Sequence, residues 1–303
     1  MAAALLAAAS VTACGKGDSG PASSGTGWPD KLVFAAVPSG EAKTFEAHYG
    51  LFINALSEEL GIKIETFLAA DYAGVIEALI ADKVDIAQLG AFSYALAVQN
   101  GANVEPSGVL HHRKGDKPGY VIQGIAPAAS PVSSLEGFRG KTVCFPDPAS
   151  TTTLLPLFEF AKANMVPDKD FKRLTVPAGT AIPRTVKKGD CEVGLAADVQ
   201  MESATKAGDI GAGDLKVFWT MQAPGSPIAT RTALPQDLRE KIKTAAVKIN
   251  ADYLAAKGVC TGDKCLISSN RDFGYLPVEH SYYQIIWDAC KATKVTACGP
   301  LAN

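Results

Sequence analysis

The chain has 303 residues, 47% of them apolar, and a formal net charge of -2. That length suits one large or two medium domains, and the near-neutral balance excludes the basic footprint of a nucleic-acid-binding protein. No apolar run is long enough to span a membrane as a helix.

The first segment reads as a processing signal. Ala2–Ala9 is a small-residue apolar stretch, and Val11-Thr12-Ala13-Cys14 matches the lipobox of bacterial lipoprotein signals. Residues 1–13 are therefore expected to be a signal peptide, with Cys14 lipidated as the first mature residue. No basic residue precedes Ala2, so the natural start is expected further upstream. Residues 14–29, rich in Gly and Ser, read as a flexible tether.

Folded sequence begins near Trp28. Lys31–Val37 is an apolar strand signal that ends in Pro38-Ser39-Gly40. Phe45, Tyr49, Phe52, Ile53, Leu56 and Leu60 recur at helical spacing, and Gly61 stops the helix. Ile62–Leu68 is a second strand, Tyr72–Ala81 a helix, Val84–Leu89 a third strand and Phe92–Gln99 a further helix. This alternation predicts a parallel sheet covered on both faces. A second series follows: strand Tyr120–Ile125, a short turn of helix at Leu135–Gly140, strand Thr142–Phe145, and a helix through Asn164. Strand Lys172–Val176, helix Ile182–Lys188, strands Glu192–Ala196 and Val217–Thr220, one long helix or a pair over Leu234–Leu254, and helix Ser281–Lys291 complete the chain.

Two series with crossings near Ile122–Ile125 and Met221–Gly225 predict an α/β fold of two lobes closing as a clamshell. Residues 30–123 and 226–303 form the first lobe, and 124–225 the second. Ligands in open α/β sheets bind at the carboxyl ends of strands, and hinge closure can trap them there. Four loops should meet in this cleft: Val37–Gly40, Asp71–Gly74, Lys117–Tyr120 and the segment Asp147-Pro148-Ala149-Ser150-Thr151-Thr152-Thr153. The last carries the most chemistry. It joins a strand to an apolar helix, and a helix N-terminus presents unpaired N–H groups and partial positive charge to an anion. Ser and Thr are also ordinary helix caps, so the motif alone does not decide between the two roles.

The seven cysteines leave six beyond Cys14, an even set that fits an oxidising compartment. Cys260–Cys265 and Cys290–Cys298 would close short loops, with Cys144–Cys191 as the remainder, among fifteen possible connectivities. Cys260 and Cys265 have no second zinc-ligand pair, and no metal or other cofactor is expected. His111-His112-Arg113 reads as polar surface near the hinge, and Arg184 as a solvated helix face. No GxSxG elbow or Walker loop is present, and no base is placed beside Ser150 by any motif, so no catalytic residues are assigned.

Many segments in order resemble the phosphate, phosphite and phosphonate substrate-binding lipoproteins of ABC importers. They include Val37-Pro38-Ser39, Asp71–Leu79, Val84–Ala87, Gly90-Ala91-Phe92-Ser93-Tyr94, Pro118-Gly119-Tyr120, Asp147–Thr151, Ala178-Gly179 and Ser226-Pro227-Ile228. The resemblance implies a periplasmic-binding-protein fold of the type II kind. It also implies that Ser150, Thr151 and Thr152 hold the oxyanion while Tyr72 and Tyr120 add phenolic donors. Ser39, Ser93, Thr180, Asp198 and Ser226 are further ligand-binding candidates. Thr180 stands where phosphonate binders often carry His, and Ser226 where binders of aminoalkyl phosphonates carry a carboxylate. Asp198 lies close to another such carboxylate position. The implied protein is a monomeric, lipid-anchored extracytoplasmic receptor, not an enzyme, that passes a small oxyanion or phosphonate to an ABC permease. Two other readings stay open: a receptor of the same fold that docks on a sensor kinase, and an extracytoplasmic enzyme using the cleft.

Overall fold

The computed structural model describes residues 27–36, 42–176, 181–269, 272–293, 296, 298 and 299. Cys14, Ser39, Thr180, the signal peptide and most of the tether lie outside these residues. The fold is mixed α/β with two sheets, one in each lobe.

The first sheet is built on β1 (Lys31–Ala36), β2 (Lys63–Phe67) and β3 (Ile86–Gln88), all parallel. Helices α1 (Ala42–Leu60), α2 (Tyr72–Ile80) and α3 (Ala91–Gln99) connect and follow them. The apolar stripe of α1 explains its docking: Phe45, Tyr49 and Phe52 surround buried Phe34 of β1. Three further strands complete the sheet: β4 (Val104–His111), β10 (Pro227–Arg231) and β11 (Gly274–Leu276), in the order β11-β4-β10-β3-β1-β2. Their pairings are antiparallel, so the sheet is mixed where a parallel one was expected. Proline costs a strand one ladder donor. Pro106 is tolerated inside β4 because the pairing with β10 shifts register there, Gly108 facing Ile228 and Pro106 facing Ala229.

The second sheet has the order β7-β6-β8-β5-β9. It contains β5 (Tyr120–Pro127), β6 (Thr142–Phe145), β7 (Lys172–Thr175), β8 (Val193–Ala197) and β9 (Leu215–Ala223). Helices α4 (Thr151–Lys162), α5 (Ile182–Lys188) and α6 (Asp198–Lys206) belong to this lobe. Strands β6, β7 and β8 are parallel, while β5 runs antiparallel to β8 and β9.

All of β5 pairs within the second sheet, so the first crossing falls at residues 112–119 and not at Ile122–Ile125. The second crossing is the short link Pro224-Gly225-Ser226 between β9 and β10. The stretch expected over Leu234–Leu254 is a pair, α7 (Gln236–Lys248) and α8 (Ala251–Ala256), divided where Asn250 caps the second helix. Helix α9 (Gln284–Thr293) follows β11 but packs chiefly on α4 of the second lobe. The chain thus crosses a third time, through 277–283, which the two-crossing division of the sequence did not anticipate. One buried apolar cluster runs from α2 and α3 to Leu154 and Phe160 of α4 and Ile286 of α9, joining the lobes.

Three disulfides pair Cys144 with Cys191, Cys260 with Cys265, and Cys290 with Cys298. The first ties β6 to the residue two before β8.

Candidate functional site

The segment Asp147–Thr153 folds as its residues dictate. Asp147 accepts the N–H of Ala149 at 2.7 Å, turning the chain after β6. Ser150 is the N-cap of α4, its hydroxyl oxygen accepting the Thr152 N–H at 3.2 Å. Thr153 spends its hydroxyl inside the loop, donating to the carbonyls of Pro146 and Asp147. Ser150, Thr151 and Thr152 are all buried.

Two other helix starts face this one from the first lobe. Helix α2 is capped by Asp71, which accepts the Gly74 N–H at 2.8 Å, and Tyr72 is its first residue. Helix α3 begins at Gly90, whose lack of a side chain leaves no cap of its own. The cap comes across the cleft: the Phe92 N–H donates to Thr151 Oγ1 at 2.9 Å. A Cβ on Gly90 would lie 3.4 Å from Ser93 Oγ, 3.6 Å from Thr151 Oγ1 and 3.9 Å from Tyr72 Cε1, so these groups converge on one point. Ser93 is fully buried, and its hydroxyl donates to the Gly90 carbonyl at 3.0 Å. From the start of β5, the Tyr120 phenol lies 3.1 Å from Thr152 Oγ1. The Ser150 hydroxyl lies beside the Tyr72 phenol and offsets part of the effect of its burial.

Burial pushes the Tyr72 phenol well above its ordinary value, aided by the neighbouring Tyr120 and Asp147. Burial likewise pushes Tyr120 up to about 12, against the lowering effect of Thr152 and Thr151. Both phenols therefore remain protonated donors throughout the physiological range. The hydrogen-bond partners of these groups among the described residues are hydroxyls and backbone groups. Such a neutral set of donors, backed by helix termini, is suited to an oxyanion.

The remaining candidates stand at the edge. Asp198 opens α6, and its Oδ1 already accepts the N–H groups of Val121 and Val199 at 3.2 and 2.9 Å. Ser226 lies in the second crossing, where its carbonyl accepts the Leu110 N–H. Arg184 is a surface residue paired with Asp209 at 3.6 Å. His111, expected on the surface, is buried against Phe273 at the end of β4. A separate cavity of about 280 Å³, lined by His112, Arg113, Glu202, Lys206 and Asp272 among others, shares no lining residue with the hydroxyl cluster. Its cations are satisfied by protein carboxylates, Arg113 and Lys206 both reaching Glu202. Among the described residues no cluster of His, Cys, Asp and Glu is placed to hold a metal, and no helix is long and apolar enough to cross a membrane.

A family model described as "ABC transporter, phosphonate, periplasmic substrate-binding protein" matches residues 34–283. The chain belongs to this family. It is 32% identical over 308 residues to the "Phosphate-import protein PhnD" of Mycolicibacterium smegmatis, covering 98% of this chain and 96% of the relative. It is 30% identical over 219 residues to the "Phosphonates-binding periplasmic protein" of Escherichia coli, covering 70% of this chain and 64% of that protein. Among solved structures, the binding component of an ABC phosphonate transporter from Pseudomonas aeruginosa has a TM-score of 0.74 at 24% identity, covering 88% of this chain and 87% of that one. PhnD1 of Prochlorococcus marinus, solved with methylphosphonate, also has a TM-score of 0.74, at 15% identity, with 88% and 98% covered. These likenesses establish the two-lobed clamshell. The binding protein therefore acts outside the cytoplasm as the receptor component of an ABC importer.

The Phe92 N–H was not foreseen as part of this site. The lone signal was Gly90 before an apolar helix: a helix start with no side chain to cap itself.

Proposed function

We propose that this binding protein closes on a single small phosphorus oxyanion, namely phosphate, phosphite or an alkylphosphonate, and presents it to its permease without performing chemistry. The observation that carries this reading is the meeting of three helix starts from two lobes at Tyr72, Gly90–Ser93 and Ser150–Thr152. An oxyanion entering there would take the hydroxyl and N–H donors that the lobes otherwise share with each other. Tyr120 would close the cage from the hinge side. The relatives named for phosphate import and phosphonate binding and the methylphosphonate-bound neighbour support the same ligand class.

Selectivity against amines follows from the rest of the site. Asp198 Oδ1 already accepts two backbone N–H groups, and Ser226 and Thr180 carry no charge. An ammonium group would enter without a buried carboxylate and lose a charge-assisted bond. We further propose a lipid anchor at Cys14 and a monomeric receptor.

Isothermal titration with phosphate, phosphite, methylphosphonate and 2-aminoethylphosphonate, with sulfate as control, tests the reading. Binding to one or more of the first three, with the aminoalkyl compound weaker by about tenfold or more, is expected. No heat with any of the phosphorus anions would overturn it.

A further inference from the structure

The three segments that cross between the lobes meet at one phenol. Tyr282 lies on the third, within the turn of 3-10 helix His280–Tyr283 that leads into α9. Its hydroxyl donates to the carbonyl of Pro118 on the first crossing at 3.0 Å. It also accepts the N–H of Gly225 on the second at 3.1 Å.

The two glycines beside it show how closely the first two crossings pack. A Cβ on Gly225 would come within 2.7 Å of the Leu110 carbonyl oxygen and 3.0 Å of Gly119 N. A Cβ on Gly119 would come within 2.6 Å of the Ala223 carbonyl oxygen, and Gly119 itself has φ +124°. Only glycine gives this approach without displacement. The ring of Tyr282 is held edge-on against Tyr283 at 5.0 Å, and Tyr283 packs on Tyr94 of α3 at 5.1 Å. The turn is fixed again at its other end, where the Tyr94 hydroxyl meets His280 Nδ1 at 2.9 Å.

We propose that Tyr282 is a positioning residue for closure: its hydroxyl couples the three crossings so that they turn together, holding the lobes in the arrangement where Thr151 reaches the Phe92 N–H. The consequence is a closed state favoured before ligand arrives, and a ligand affinity set partly outside the pocket. A receptor whose binding-competent state is fractionally populated loses affinity by that fraction. The effect on affinity rests on the oxyanion reading above, whereas the effect on closure does not.

Tyr282→Phe keeps the ring and removes both bonds. The test compares it with wild type by hydrogen exchange of the Gly225 amide, by solution scattering of the unliganded chain, and by titration with phosphate and methylphosphonate. Tyr283→Phe is the control, since the Tyr283 phenol oxygen is buried without a hydrogen-bond partner among the described residues. For Tyr282→Phe, Gly225 exchange should rise about tenfold, the unliganded radius of gyration should increase, and Kd should weaken about tenfold. Tyr283→Phe should change none of these. Unchanged exchange and scattering in a folded Tyr282→Phe protein would overturn the proposal, as would equal changes in the control. If wild type binds neither anion, the oxyanion reading fails, and exchange and scattering still decide the role of Tyr282. If Tyr282→Phe does not fold, pressure-dependent exchange on wild type tests the same coupling. Gly225 should then exchange in one step with Tyr120 and Tyr282, and independent exchange of the three would overturn the coupling.

Discussion

The hydroxyl oxygen of Thr151 accepts a 2.9 Å hydrogen bond from the backbone N–H of Phe92, on the opposite lobe. One atom of the second lobe thereby caps a helix of the first. The same oxygen belongs to the helix start that is proposed to receive the ligand, so closure and recognition share a group. Thr151→Ala removes the cap and the donor together. A hydrogen bond to a charged partner contributes about 1.5–3 kcal/mol, so titration with the preferred anion should show affinity about 10- to 100-fold weaker. Thermal unfolding of the unliganded protein should also drop, because a missing cap costs about 1 kcal/mol. The double change Ser150→Ala with Thr151→Ala should abolish measurable binding. Retained affinity in the double variant would remove this loop from the site.

The two phenols test the cage separately. Tyr72→Phe and Tyr120→Phe each delete one donor while keeping the ring, so the apolar contacts persist. Each should weaken binding about tenfold with little effect on thermal stability. Because burial holds both phenols above their ordinary range, with Tyr120 at about 12, neither titrates between pH 6 and 9. Any pH dependence of binding in that window should follow the protonation of the anion itself. A binding transition that is lost in Tyr120→Phe would contradict this.

The parts of the molecule legible in its sequence are those set by neighbours along the chain. The turn at Asp147, the Ser150 cap and the apolar run after it occupy one short segment, and strand β6 and helix α5 stand where patterning put them. The strands that complete the first sheet were not legible. β4 contains Pro106 and Gly108, which read as breakers, and only the register shift against β10 makes them acceptable. β10 and β11 are short and begin with Pro227 and Gly274. Helix α6 is mainly polar, burying only Val199 and Ala204, so it lacked a periodic signal. At the site, Ser150, Thr151, Thr152, Tyr72 and Tyr120 converge, but the Phe92 N–H and the Tyr282 clamp arise from pairings 59 and 57 residues apart or more. Local pattern carries no trace of such contacts.

The disulfides should differ in weight. Constraining the unfolded chain stabilises more for longer loops, and the Cys144–Cys191 pair spans 47 residues against 5 for Cys260–Cys265 and 8 for Cys290–Cys298. The chain-entropy relation gives about 4 kcal/mol for the first and about 2 kcal/mol for each of the others. Cys144→Ala with Cys191→Ala should therefore lower the urea midpoint most of the three paired changes. It should also loosen the support of the site loop, since Cys144 lies on β6 just before Pro146. Equal losses from the three pairs would show that local packing outweighs loop length.

His112 links crossing and lobe by charge. Its Nε2 lies 3.1 Å from Glu202 Oε2 on α6, and its Nδ1 lies 3.7 Å from Asp272 Oδ1, which precedes β11. At 3.7 Å the Asp272 contact is charge attraction and not a directed hydrogen bond. Asp272, opposed by burial and aided by Glu202, raises the imidazole above its ordinary value. Hydrogen bonding by His112 and then Lys206 lowers Glu202 to about 2. A raised folded-state value means that the imidazolium contributes stability fully below the unfolded value of 6.5 and loses it as pH rises through the higher folded value. Glu202 acts in the other direction, contributing above 4.5 and losing its contribution as pH falls toward about 2. Stability should thus be greatest between 4.5 and 6.5 and decline as pH rises above 6.5 through the raised folded value. Glu202 is 34% exposed, so solvent screening keeps the decline small. His112→Gln should flatten the alkaline limb of a Tm–pH profile and shrink the acidic limb to the part that Lys206 and Arg113 sustain through Glu202. An alkaline decline unchanged in the variant would assign it to another group.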